Sequence, residues 1–469
     1  MRKFLLAVIS FILVLQPNFS SIAAENLSYL AKPVARGPLA GESIYFVMTD
    51  RFSNGDDSND RAGLTGSSSQ TGFDPTDKAY YHGGDFKGLT NHLPYIKELG
   101  FTSIWITPPV KNQYVQGASA AYHGYWGIDF TTIDPHLGTE EDFKNFVSQA
   151  HSLGMKVIVD IVVNHTADVI KYPNESTGYR YLINYPYKTC QGKPFDHNKV
   201  AGSKDFPKLC IDKSFAYIPQ VDPANKNIKK PAFLNDLTNY HNRGDSTWSG
   251  TSVFDGDFVG LDDLFTEKPE VVNGWSELWA SWITRFDIDG FRVDTAKHVN
   301  PEFWKVFIPK MLATAKSAGK KEFPIFGEVA DSDPLTLASF VKDQKFESVL
   351  DFGFQSHVSR FVVSGSGLDA LVNYFNADDL YTSTTTSAYS LATFLGNHDM
   401  GRIGQFIADR SEDSTEALSR AQLANALLFT LRGSPILYYG DEKGFTGTGG
   451  DQLARQDFFP TLLPEWQNE

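Results

Sequence analysis

Short apolar runs alternate with longer amphipathic stretches along most of the chain. Each run is short enough for a strand and apolar enough to be buried on both faces, as parallel strands are. The stretches between them, such as 140–154, 301–319 and 414–433, have helical patterns that often end at glycine. Eight strands separated by helices predict a TIM (β/α)8 barrel. The eight runs are 43–49, 101–108, 155–163, 288–294, 323–329, 346–354, 391–399 and 434–442.

About a hundred residues separate the third predicted strand from the next helix. Residues 165–265 are rich in Asn, Lys, Tyr and Pro and contain both cysteines of the chain, Cys190 and Cys210. Since ordinary connecting loops are much shorter, we predict a small inserted domain over 165–265, with the barrel formed by 25–164 and 266–469. In an oxidising compartment one disulfide would clip a surface loop and stabilise the fold by about 3 kcal/mol. Two unpaired buried thiols are the alternative.

The first 24 residues have the pattern of a signal peptide. Arg2 and Lys3 precede an apolar run that is too short to span a bilayer, and the small residues Ala23 and Ala24 follow. We therefore expect a secreted protein, extracellular or periplasmic, with no membrane association after cleavage. Loss of Arg2 and Lys3 changes the formal net charge from −14 to −16. A strongly acidic exported protein binds nucleic acid poorly, so no such partner is expected.

The end of the sequence predicts an incomplete barrel. Residues 443–469 include Pro460 and Pro464, and only 450–459 could make a short helical turn, so the eighth helix is missing. One flank of the barrel would then be uncovered and would form an association surface. We expect a truncated form of a longer protein that is a monomer at full length. A partner chain, or an unusual packing of the last thirty residues over the gap, is the alternative.

Polar side chains lie at the carboxyl ends of the predicted strands, where TIM barrels form their active sites. The third run contains Asp160, and Asn164 and His165 follow it. Three carboxylates, Asp294, Glu328 and Asp399, should converge on one pocket. Crowded like charges are costly unless chemistry requires them, and two carboxyl groups flanking a bond are what glycoside cleavage uses.

The stretch "DGFRVDTAKH" (289–298), which begins within the fourth run, separates its side chains by face. Alternation along a strand places Phe291 and Val293 on one face and Arg292 and Asp294 on the other. Read alone, this pattern fits either a structural ion pair or part of an active site. A fixed positive charge at Arg292 would keep the neighbouring carboxylate ionised and therefore nucleophilic.

Four motifs resemble, in order and spacing, the signature regions of the α-amylase family of glycoside hydrolases. They are "DIVVNH" (160–165), "GFRVDTAKH" (290–298), "FGEV" (326–329) and "FLGNHD" (394–399). Four further segments are similar to family regions, so the likeness covers about residues 42 to 450. These are "GFTSIWITPP" (100–109), "AYHGYWGIDF" (121–130), "LDDLF" (261–265) and "GSPILYYGDE" (433–442). Family members usually carry a C-terminal β-sandwich, and nothing in this sequence could form one.

The resemblance implies a role for each candidate residue. Asp294 would be the nucleophile, Glu328 the general acid/base and Asp399 the third carboxylate, which grips sugar hydroxyls. Bond cleavage would then retain the anomeric configuration, with the two reacting carboxyl groups about 5–5.5 Å apart. The substrate-binding residues, besides Arg292, would be His123 and His398 as hydrogen-bonding groups, Tyr125 as a stacking surface, and Lys297 and His298 as acceptor-side contacts.

Two groups of oxygen-bearing residues predict calcium sites. Asn54, Asp56, Asn59, Asp60 and Asp85 supply the hard oxygen ligands that calcium prefers, although their spacing is not that of an EF-hand. The loop resembles the N-terminal calcium loop of cyclodextrin glucanotransferases and related bacterial amylases, which implies a further ligand at the carbonyl of Gly83. A solvated turn is the alternative.

The family's second calcium lies between the barrel and the inserted domain. The matching positions in this sequence are Asn164, Asp263 and the backbone carbonyl of His298. The match at Asp263 is the weakest of these, because "LDDLF" ends in Phe265 where relatives often have Asn. Such a site would connect catalysis to folding, since it would fix the loop that carries Lys297 and His298.

The sequence therefore predicts a secreted, retaining, endo-acting hydrolase of α-1,4-glucosidic bonds in starch and maltooligosaccharides. A cyclodextrin-forming or other transglycosylase on the same barrel is the first alternative. Hydrolysis and transfer differ in whether water or a sugar attacks the intermediate, and the sequence barely distinguishes the two. A catalytically inactive binding subunit is the second, although such proteins lose catalytic carboxylates and this chain keeps all three. Specificity for α-1,6 or trehalose linkages stays open, and "DTAKH" favours the α-1,4 reading.

Overall fold

The computed structural model describes residues 34–447 and 451–467. The predicted signal peptide, residues 1–24, lies outside these ranges. No helix within them combines the length and the apolar composition needed to cross a membrane.

Eight parallel strands form one sheet, which confirms the predicted barrel. The hydrogen-bonded order is β6-β5-β4-β3-β2-β1-β8-β7, and a parallel bridge between Leu350 and Ala392 joins the two outer strands. The sheet therefore closes on itself. The strands are β1 Ile44–Val47, β2 Ser103–Ile106, β3 Lys156–Ile161, β4 Gly290–Val293, β5 Ile325–Gly327, β6 Ser348–Val349, β7 Ala392–Thr393 and β8 Ser434–Tyr438.

Helices fill most of the connections between these strands. The predicted helices over 140–154, 301–319 and 414–433 are confirmed as Glu140–Ser152, Pro301–Ser317 and Ser414–Thr430. The remaining α-helices longer than one turn are Phe86–Asn91, Leu93–Glu98, Pro269–Phe286, Pro334–Lys342, Phe352–Ser364, Leu368–Phe375 and Ile403–Ala408. Single turns occur at Thr49–Phe52, Ser68–Thr71 and Ser252–Asp255.

Two strands are much shorter than their apolar runs. The run 346–354 gives only the two-residue β6, because Asp351 accepts a hydrogen bond from the backbone N–H of Phe354 and caps a helix that begins at Phe352. The run 391–399 gives only β7, and a turn closed by hydrogen bonds between Asn397 and Gly401 follows. A capping side chain ends β6, and a turn follows β7, earlier in each case than hydrophobicity indicates.

The predicted alternation along β4 is observed. Phe291 packs against Trp279 of the helix Pro269–Phe286, with ring centroids 5.9 Å apart, so this face points outward to the helical layer. Arg292 faces the barrel interior, where it approaches the ring of Trp105 to 5.2 Å. Inside the barrel, Trp105 stacks on Phe46 at 3.7 Å. The middle of the barrel interior is therefore aromatic, and the interior is charged at the carboxyl ends of the strands.

The segment 165–265 has little regular structure of its own. It contains short 3-10 turns, including Asn198–Val200 and Ala232–Asn235, and an antiparallel pair of His165–Thr166 with Asp262–Asp263. This pair brings the two ends of the segment together beside β3. The division of the chain into a barrel and an inserted domain stays a prediction.

The predicted disulfide between Cys190 and Cys210 is confirmed. It closes a loop with a sequence separation of 20 residues. A small apolar cluster of Tyr187, Leu209 and Phe265 lies beside it, separate from the barrel core. Because this cluster is small, the covalent link contributes a large share of the local stability.

An apolar groove lies on one flank of the barrel, between the helices Leu93–Glu98 and Ser414–Thr430. Its volume is about 550 Å³, and Phe101, Phe429 and Leu437 contribute to its lining. Leu418 on its rim is 60% exposed. The expectation that the eighth barrel helix is missing stays a prediction.

Residues 451–467 form a segment, the C-terminal strap, that crosses the mouth of the barrel rather than its flank. The hydroxyl of Tyr439 donates to the carbonyl of Gln456 at 2.6 Å, and Phe458 stacks on Phe52 with centroids 4.9 Å apart. Asp457 lies 2.7 Å from the ring of the buried His82. The sequence indicated at most a short helical turn here and gave no sign of this position.

Loss of the disulfide should destabilise the fold. A loop of this size is expected to contribute about 3 kcal/mol, because the cross-link restricts the unfolded chain. The double variant Cys190→Ser, Cys210→Ser should therefore unfold at a lower denaturant concentration than the wild type, followed by tryptophan fluorescence. Dithiothreitol should shift the wild type toward the variant and leave the variant unchanged. Equal midpoints for both proteins would contradict this contribution.

Candidate active site

A buried arginine lies at the carboxyl ends of the central strands. One terminal nitrogen of Arg292 donates to both oxygens of Asp160, at 2.9 and 3.0 Å, and to Asp294 Oδ1 at 2.7 Å. The other terminal nitrogen lies 2.9 Å from Glu328 Oε1. Strand register produces this arrangement, because Arg292 pairs with Asp160 on β3 and with Phe326 on β5, two residues before Glu328. One guanidinium therefore joins three carboxyl groups.

This site contains more carboxyl groups than positive charges, and two of its carboxyl groups have raised pKa values. Desolvation raises the pKa of Glu328 to about 8, with the negative charges of Asp294 and Asp399 adding to the rise and Arg292 opposing it. Desolvation also raises the pKa of Asp160 to about 7, again against Arg292. Glu328 accordingly holds its proton at neutral pH, as a general acid must.

The backbone after β4 fixes the position of Glu328. The N–H of Thr295 donates to Glu328 Oε2 at 3.0 Å. Thr295 has a φ of 47°, which is unusual for a β-branched residue. The turn directs this N–H at the carboxyl group, so the acid is held from both sides, by Arg292 and by the turn.

A hydrogen-bonded chain of side chains forms one wall of the cleft. The hydroxyl of Tyr125 donates to Asp160 Oδ2 at 2.9 Å and lies 2.8 Å from Nε2 of His398. The ring of Tyr125 is parallel to that of His123, with centroids 5.6 Å apart. The backbone N–H of Tyr125 donates to Nδ1 of His123 at 3.1 Å. In the neutral ring Nε2 of His123 therefore carries the proton.

Both histidines of this wall are uncharged at neutral pH. Desolvation lowers the pKa of His398 to about 3 and lowers the pKa of His123 well below its ordinary value. They can therefore exchange hydrogen bonds with a neutral ligand without adding positive charge beside Asp399.

Asp399 occupies the open edge of this wall. Its side chain is 47% exposed and lies 3.1 Å from a terminal nitrogen of Arg455. Partial desolvation acts to raise its pKa, but His398 and the positive charges of Arg455 and Arg292 outweigh it, so the pKa is lowered. Asp399 is therefore ionised at neutral pH while Glu328 is protonated.

Arg455 is the main residue that the sequence did not indicate. It lies on the C-terminal strap, is buried, and also donates through Nε to the carbonyl of His398 at 3.0 Å. The strap holds it 56 positions from Asp399 in the sequence, so no local motif could connect the two. Asp160 was visible as a strand-end carboxylate, but only the register shows its contact with Arg292.

The opposite wall contains Lys297 and His298. The ammonium group of Lys297 is held by Asp331 Oδ2 and by the carbonyl of Ala330, both at 3.0 Å. His298 donates through Nδ1 to the carbonyl of Val253 at 2.9 Å. Both residues lie in the 3-10 turn Ala296–His298, which follows Asp294 directly after β4.

The two walls enclose one cleft of about 770 Å³. Seven of the predicted catalytic and substrate-binding residues line it, and Arg292 and His398 lie directly behind the lining. The seven are His123, Tyr125, Asp294, Lys297, His298, Glu328 and Asp399. The structure thus brings together all of the residues that the sequence placed at this site.

The predicted N-terminal calcium loop folds into a compact cluster. Asn54 donates to Asp60 Oδ1 at 2.8 Å, and Asn59 donates to Asp85 Oδ2 at 3.1 Å. A Cβ atom on Gly83 would lie 2.5 Å from Asp60 Oδ1, so glycine allows the backbone to approach. Asp56 instead turns to Ser58 and Lys87.

This cluster fits a cation by its chemistry. Oδ1 of Asn59 is buried without a hydrogen-bond partner. Desolvation, together with the negative charges of Asp57, Asp50 and Asp85, raises the pKa of Asp60 to about 6. A hard divalent cation would accept coordination from the unpaired oxygen of Asn59 and would offset the negative charge around Asp60.

The second predicted calcium position has one free oxygen. Asn164 donates to Asp263 Oδ1 at 3.0 Å, which leaves Oδ1 of Asn164 buried without a partner. The other oxygen of Asp263 lies 2.5 Å from Nδ1 of His241. Within 34–447 and 451–467 no group of three or more His, Cys, Asp or Glu side chains could hold a metal ion. Both positions therefore depend on amide and backbone oxygens.

Comparison with known proteins identifies the family. Residues 46–459 match the family described as "Alpha amylase, catalytic domain". An alpha-amylase of Streptomyces lividans is 47% identical over 447 residues, which are 94% of this chain and 48% of that protein. A cyclomaltodextrin glucanotransferase of Klebsiella oxytoca is 29% identical over 464 residues, 91% of this chain and 62% of that protein.

A solved structure of the alpha-amylase of Geobacillus thermoleovorans, complexed with acarbose, superposes with a TM-score of 0.65 at 30% identity, over 90% of this chain and 75% of that one. The chain spans about half the length of the Streptomyces relative. The resemblance seen in the sequence motifs is confirmed by the family match, and the chain belongs to the alpha-amylase family, with its catalytic domain over residues 46–459.

Proposed function

We propose that this chain is the catalytic part of a retaining hydrolase that cleaves internal α-1,4-glucosidic bonds of starch and maltooligosaccharides. The observation that carries the proposal is the contact of one guanidinium, Arg292, with both Asp294 and Glu328. This contact holds Asp294, the proposed nucleophile, beside Glu328, whose raised pKa keeps it protonated at neutral pH, and it supports a retaining mechanism, which uses two such carboxyl groups.

The first step breaks the glycosidic bond. A carboxylate oxygen of Asp294 attacks the anomeric carbon and forms a glycosyl ester as the bond to the leaving oxygen breaks. Glu328 gives its proton to that oxygen, so the leaving sugar departs as an alcohol. The pKa of Glu328, raised to about 8 mainly by desolvation, makes this proton available at neutral pH.

The second step releases the sugar. Glu328, now ionised, takes a proton from water as the water oxygen attacks the anomeric carbon and displaces Asp294. The carboxyl groups return to their starting charges, and two inversions retain the configuration. A sugar hydroxyl in place of water would give transglycosylation instead.

Neighbouring residues hold the sugar in the cleavage position. Nε2–H of His123 can donate to a sugar hydroxyl, since Nδ1 already accepts from Tyr125. The ring of Tyr125 offers an apolar face, and Asp399 accepts from hydroxyl groups. Arg455 keeps Asp399 ionised and in position.

A cyclodextrin-forming transglycosylase is the second candidate. It is favoured by the likeness to cyclomaltodextrin glucanotransferases, such as that of Klebsiella oxytoca. The two functions share every residue of the catalytic steps above and differ in what attacks the intermediate.

Calcium is the proposed cofactor. Asn54, Asn59, Asp60, Asp85 and the carbonyl of Gly83 would hold one ion, with Asp56 nearby, and the buried oxygen of Asn59 supports this assignment. The ion supplies positive charge that stabilises the loop, and it takes no part in the chemistry. A second ion would use Asn164, Asp263 and the carbonyl of His298, supported by the buried free oxygen of Asn164.

The proposed localisation, domain organisation and oligomeric state rest on the sequence. We propose that residues 1–24 direct secretion, that 165–265 act as an inserted domain bordering the cleft, and that the full-length protein is a monomer with an α-glucan as its substrate.

The wild type should convert soluble starch to a series of linear maltooligosaccharides, resolved by chromatography. Glu328→Gln and Asp294→Asn should each abolish this conversion, because each removes a reacting group while keeping its volume. If cyclic products predominate, the protein is a cyclodextrin-forming transglycosylase rather than a hydrolase. Retention of a tenth of the activity in either variant would contradict the assigned roles.

An activated substrate separates those roles. α-Maltotriosyl fluoride needs little acid assistance because fluoride is a good leaving group. Glu328→Gln should therefore release a burst of fluoride as the intermediate forms, whereas Asp294→Asn should release none above background. Equal behaviour of the two variants would show that the roles are misassigned.

Glu328→Gln should also stabilise the fold in a pH-dependent way. Below pH 4.5, the ordinary pKa of a glutamate, the group is protonated in both states. As pH rises toward about 8 the unfolded chain ionises while the folded protein keeps its proton, so wild-type stability falls. The difference in melting temperature between variant and wild type should grow from pH 4.5 to 8. A constant difference would contradict the raised pKa.

Calcium should raise the melting temperature, because an ion that binds only the folded state adds stability with concentration. Titration calorimetry should show one site fewer in Asp60→Asn than in the wild type. Asp74→Asn, which removes a carboxylate from a neighbouring turn held by Thr76, should bind as the wild type does. The same stoichiometry in all three proteins would remove Asp60 from the site.

A further inference from the structure

One arginine of the C-terminal strap connects two separate segments of the cleft. The terminal nitrogens of Arg455 lie 3.1 Å from Asp399 Oδ1 and 3.3 Å from the hydroxyl of Tyr122. Asp399 belongs to the connection after β7, whereas Tyr122 belongs to the connection after β2 and directly precedes His123. The proposed function assigns Asp399 and His123 to the binding of the sugar. Arg455 therefore holds together the two segments that carry these groups.

A second buried arginine holds Tyr122 from its other side. The guanidinium of Arg51 lies over the ring of Tyr122, 3.9 Å from its centroid. Arg51 also forms an ion pair with Asp50 at 2.9 Å and donates to the carbonyl of Tyr80 at 2.7 Å. Because Arg51 and Asp50 are completely buried, the barrel fixes one face of Tyr122, and the strap supplies the partner of its hydroxyl.

A buried contact anchors the strap two residues beyond Arg455. The carboxyl oxygens of Asp457 lie 2.7 and 2.9 Å from Nδ1 of His82. Nε2 of His82 lies 3.1 Å from the carbonyl of Asp77. The side chains of His82 and Asp457 are only 0% and 1% exposed. Loss of either partner would leave the other buried without its hydrogen bond, so this contact resists opening.

The strap is held on its other side by the residue between Arg455 and Asp457. Gln456 accepts from Nε of Arg402 through its side-chain oxygen, at 2.7 Å, and from the hydroxyl of Tyr439 through its carbonyl, at 2.6 Å. These contacts join the strap to the segments after β7 and β8, whereas Asp457 joins it to the segment after β1. The position of Arg455 across the barrel mouth depends on both sides.

The charge of Arg455 also affects the ionisation of Asp399. Desolvation acts to raise the pKa of Asp399, but His398 and the positive charges of Arg455 and Arg292 outweigh it, so the pKa is lowered. Three further titratable groups interact with Asp399 through their charges, namely Glu328, His123 and Tyr125. If Arg455 moved away, Asp399 would lose a positive neighbour and its pKa would rise.

We propose that Asp457 and His82 are positioning residues, which hold the C-terminal strap so that Arg455 keeps Asp399 and His123 in their sugar-binding positions. Neither Asp457 nor His82 belongs to the lining of the cleft, so both act through Arg455. This inference rests on the proposed function, since it concerns groups that the proposed function assigns to the sugar. It makes the segment after β1 part of the support of the active site.

The first test removes the charge that faces His82. Asp457→Asn keeps the volume of the side chain and should lower kcat/KM for maltohexaose about tenfold, because a small displacement of a binding group has a large effect on rate. The acid side of the pH profile of kcat/KM should move to higher pH, because Asp399 must be ionised to accept from the sugar and its pKa would rise. A lower melting temperature with an unchanged pH profile would show a purely structural anchor and would overturn the proposal.

A double-mutant cycle tests whether Asp457 acts through Arg455. Arg455→Gln should give a loss of kcat/KM and a shift of the pH profile at least as large as Asp457→Asn does. Adding Asp457→Asn to Arg455→Gln should then change neither quantity further, because both variants disturb the same guanidinium. Additive losses would show that Asp457 acts by another route and would overturn the proposal.

The strap offers a matched control. Glu465 forms an exposed ion pair with Lys78 at 3.0 Å, and such pairs contribute little. Glu465→Gln should therefore keep the kcat/KM and the pH profile of the wild type. A shift of the profile equal to that of Asp457→Asn would show that any change in the strap has this effect, and would overturn the specific role of Asp457.

Variants of His82 test the same contact from its other side. His82→Gln can still donate to Asp457 and should keep most of the wild-type pH profile, whereas His82→Ala should behave as Asp457→Asn does. These variants keep the proposal testable if Asp457→Asn does not fold. A wild-type pH profile in His82→Ala would contradict the proposal.

The outcomes distinguish this inference from the proposed function. A wild type that does not hydrolyse maltohexaose removes the proposed function, and the positioning role with it. A wild type that is active, with a pH profile that Asp457→Asn and His82→Ala leave unchanged, overturns the positioning role alone. A shifted profile that depends on Arg455 supports it.

Discussion

The active site depends on a single buried charge, the guanidinium of Arg292. Without it, Asp160, Asp294 and Glu328 would be three acids in a desolvated barrel mouth, and their mutual repulsion would oppose folding. With it, each of the three carboxyl groups has a positively charged partner, and desolvation leaves Asp160 and Glu328 with raised pKa values. The same contact thus permits the fold and holds Glu328, which is protonated at neutral pH, beside Asp294.

The barrel was predictable because its strands are buried on both faces, which leaves continuous apolar runs in the sequence. The site was predictable for the same reason, since Asp294, Glu328 and Asp399 lie at the carboxyl ends of those runs. Strand ends were less predictable. β6 is shorter than its run because Asp351 caps a helix there, and helix capping competes with strand pairing. The hydrophobic pattern of the sequence does not reveal this competition.

Features that depend on contacts between distant loops were not predictable. Arg455 reaches Asp399 only because the C-terminal strap is anchored by Asp457 and Phe458 to residues near β1. Trp248 and Val259 adopt positive φ without the glycine or asparagine that would signal it. In each case tertiary structure imposes a conformation that the local sequence does not favour.

The strap has a consequence for the order of events during synthesis. A ribosome adds roughly 5–20 residues per second, so Arg455, which lies 56 positions after Asp399, emerges roughly 3–11 seconds later. During that interval β8 is still being synthesised, and the nascent chain lacks both the guanidinium that pairs with Asp399 and the anchor that closes the mouth. The mouth of the barrel is therefore completed last, by a segment far from the strands it covers.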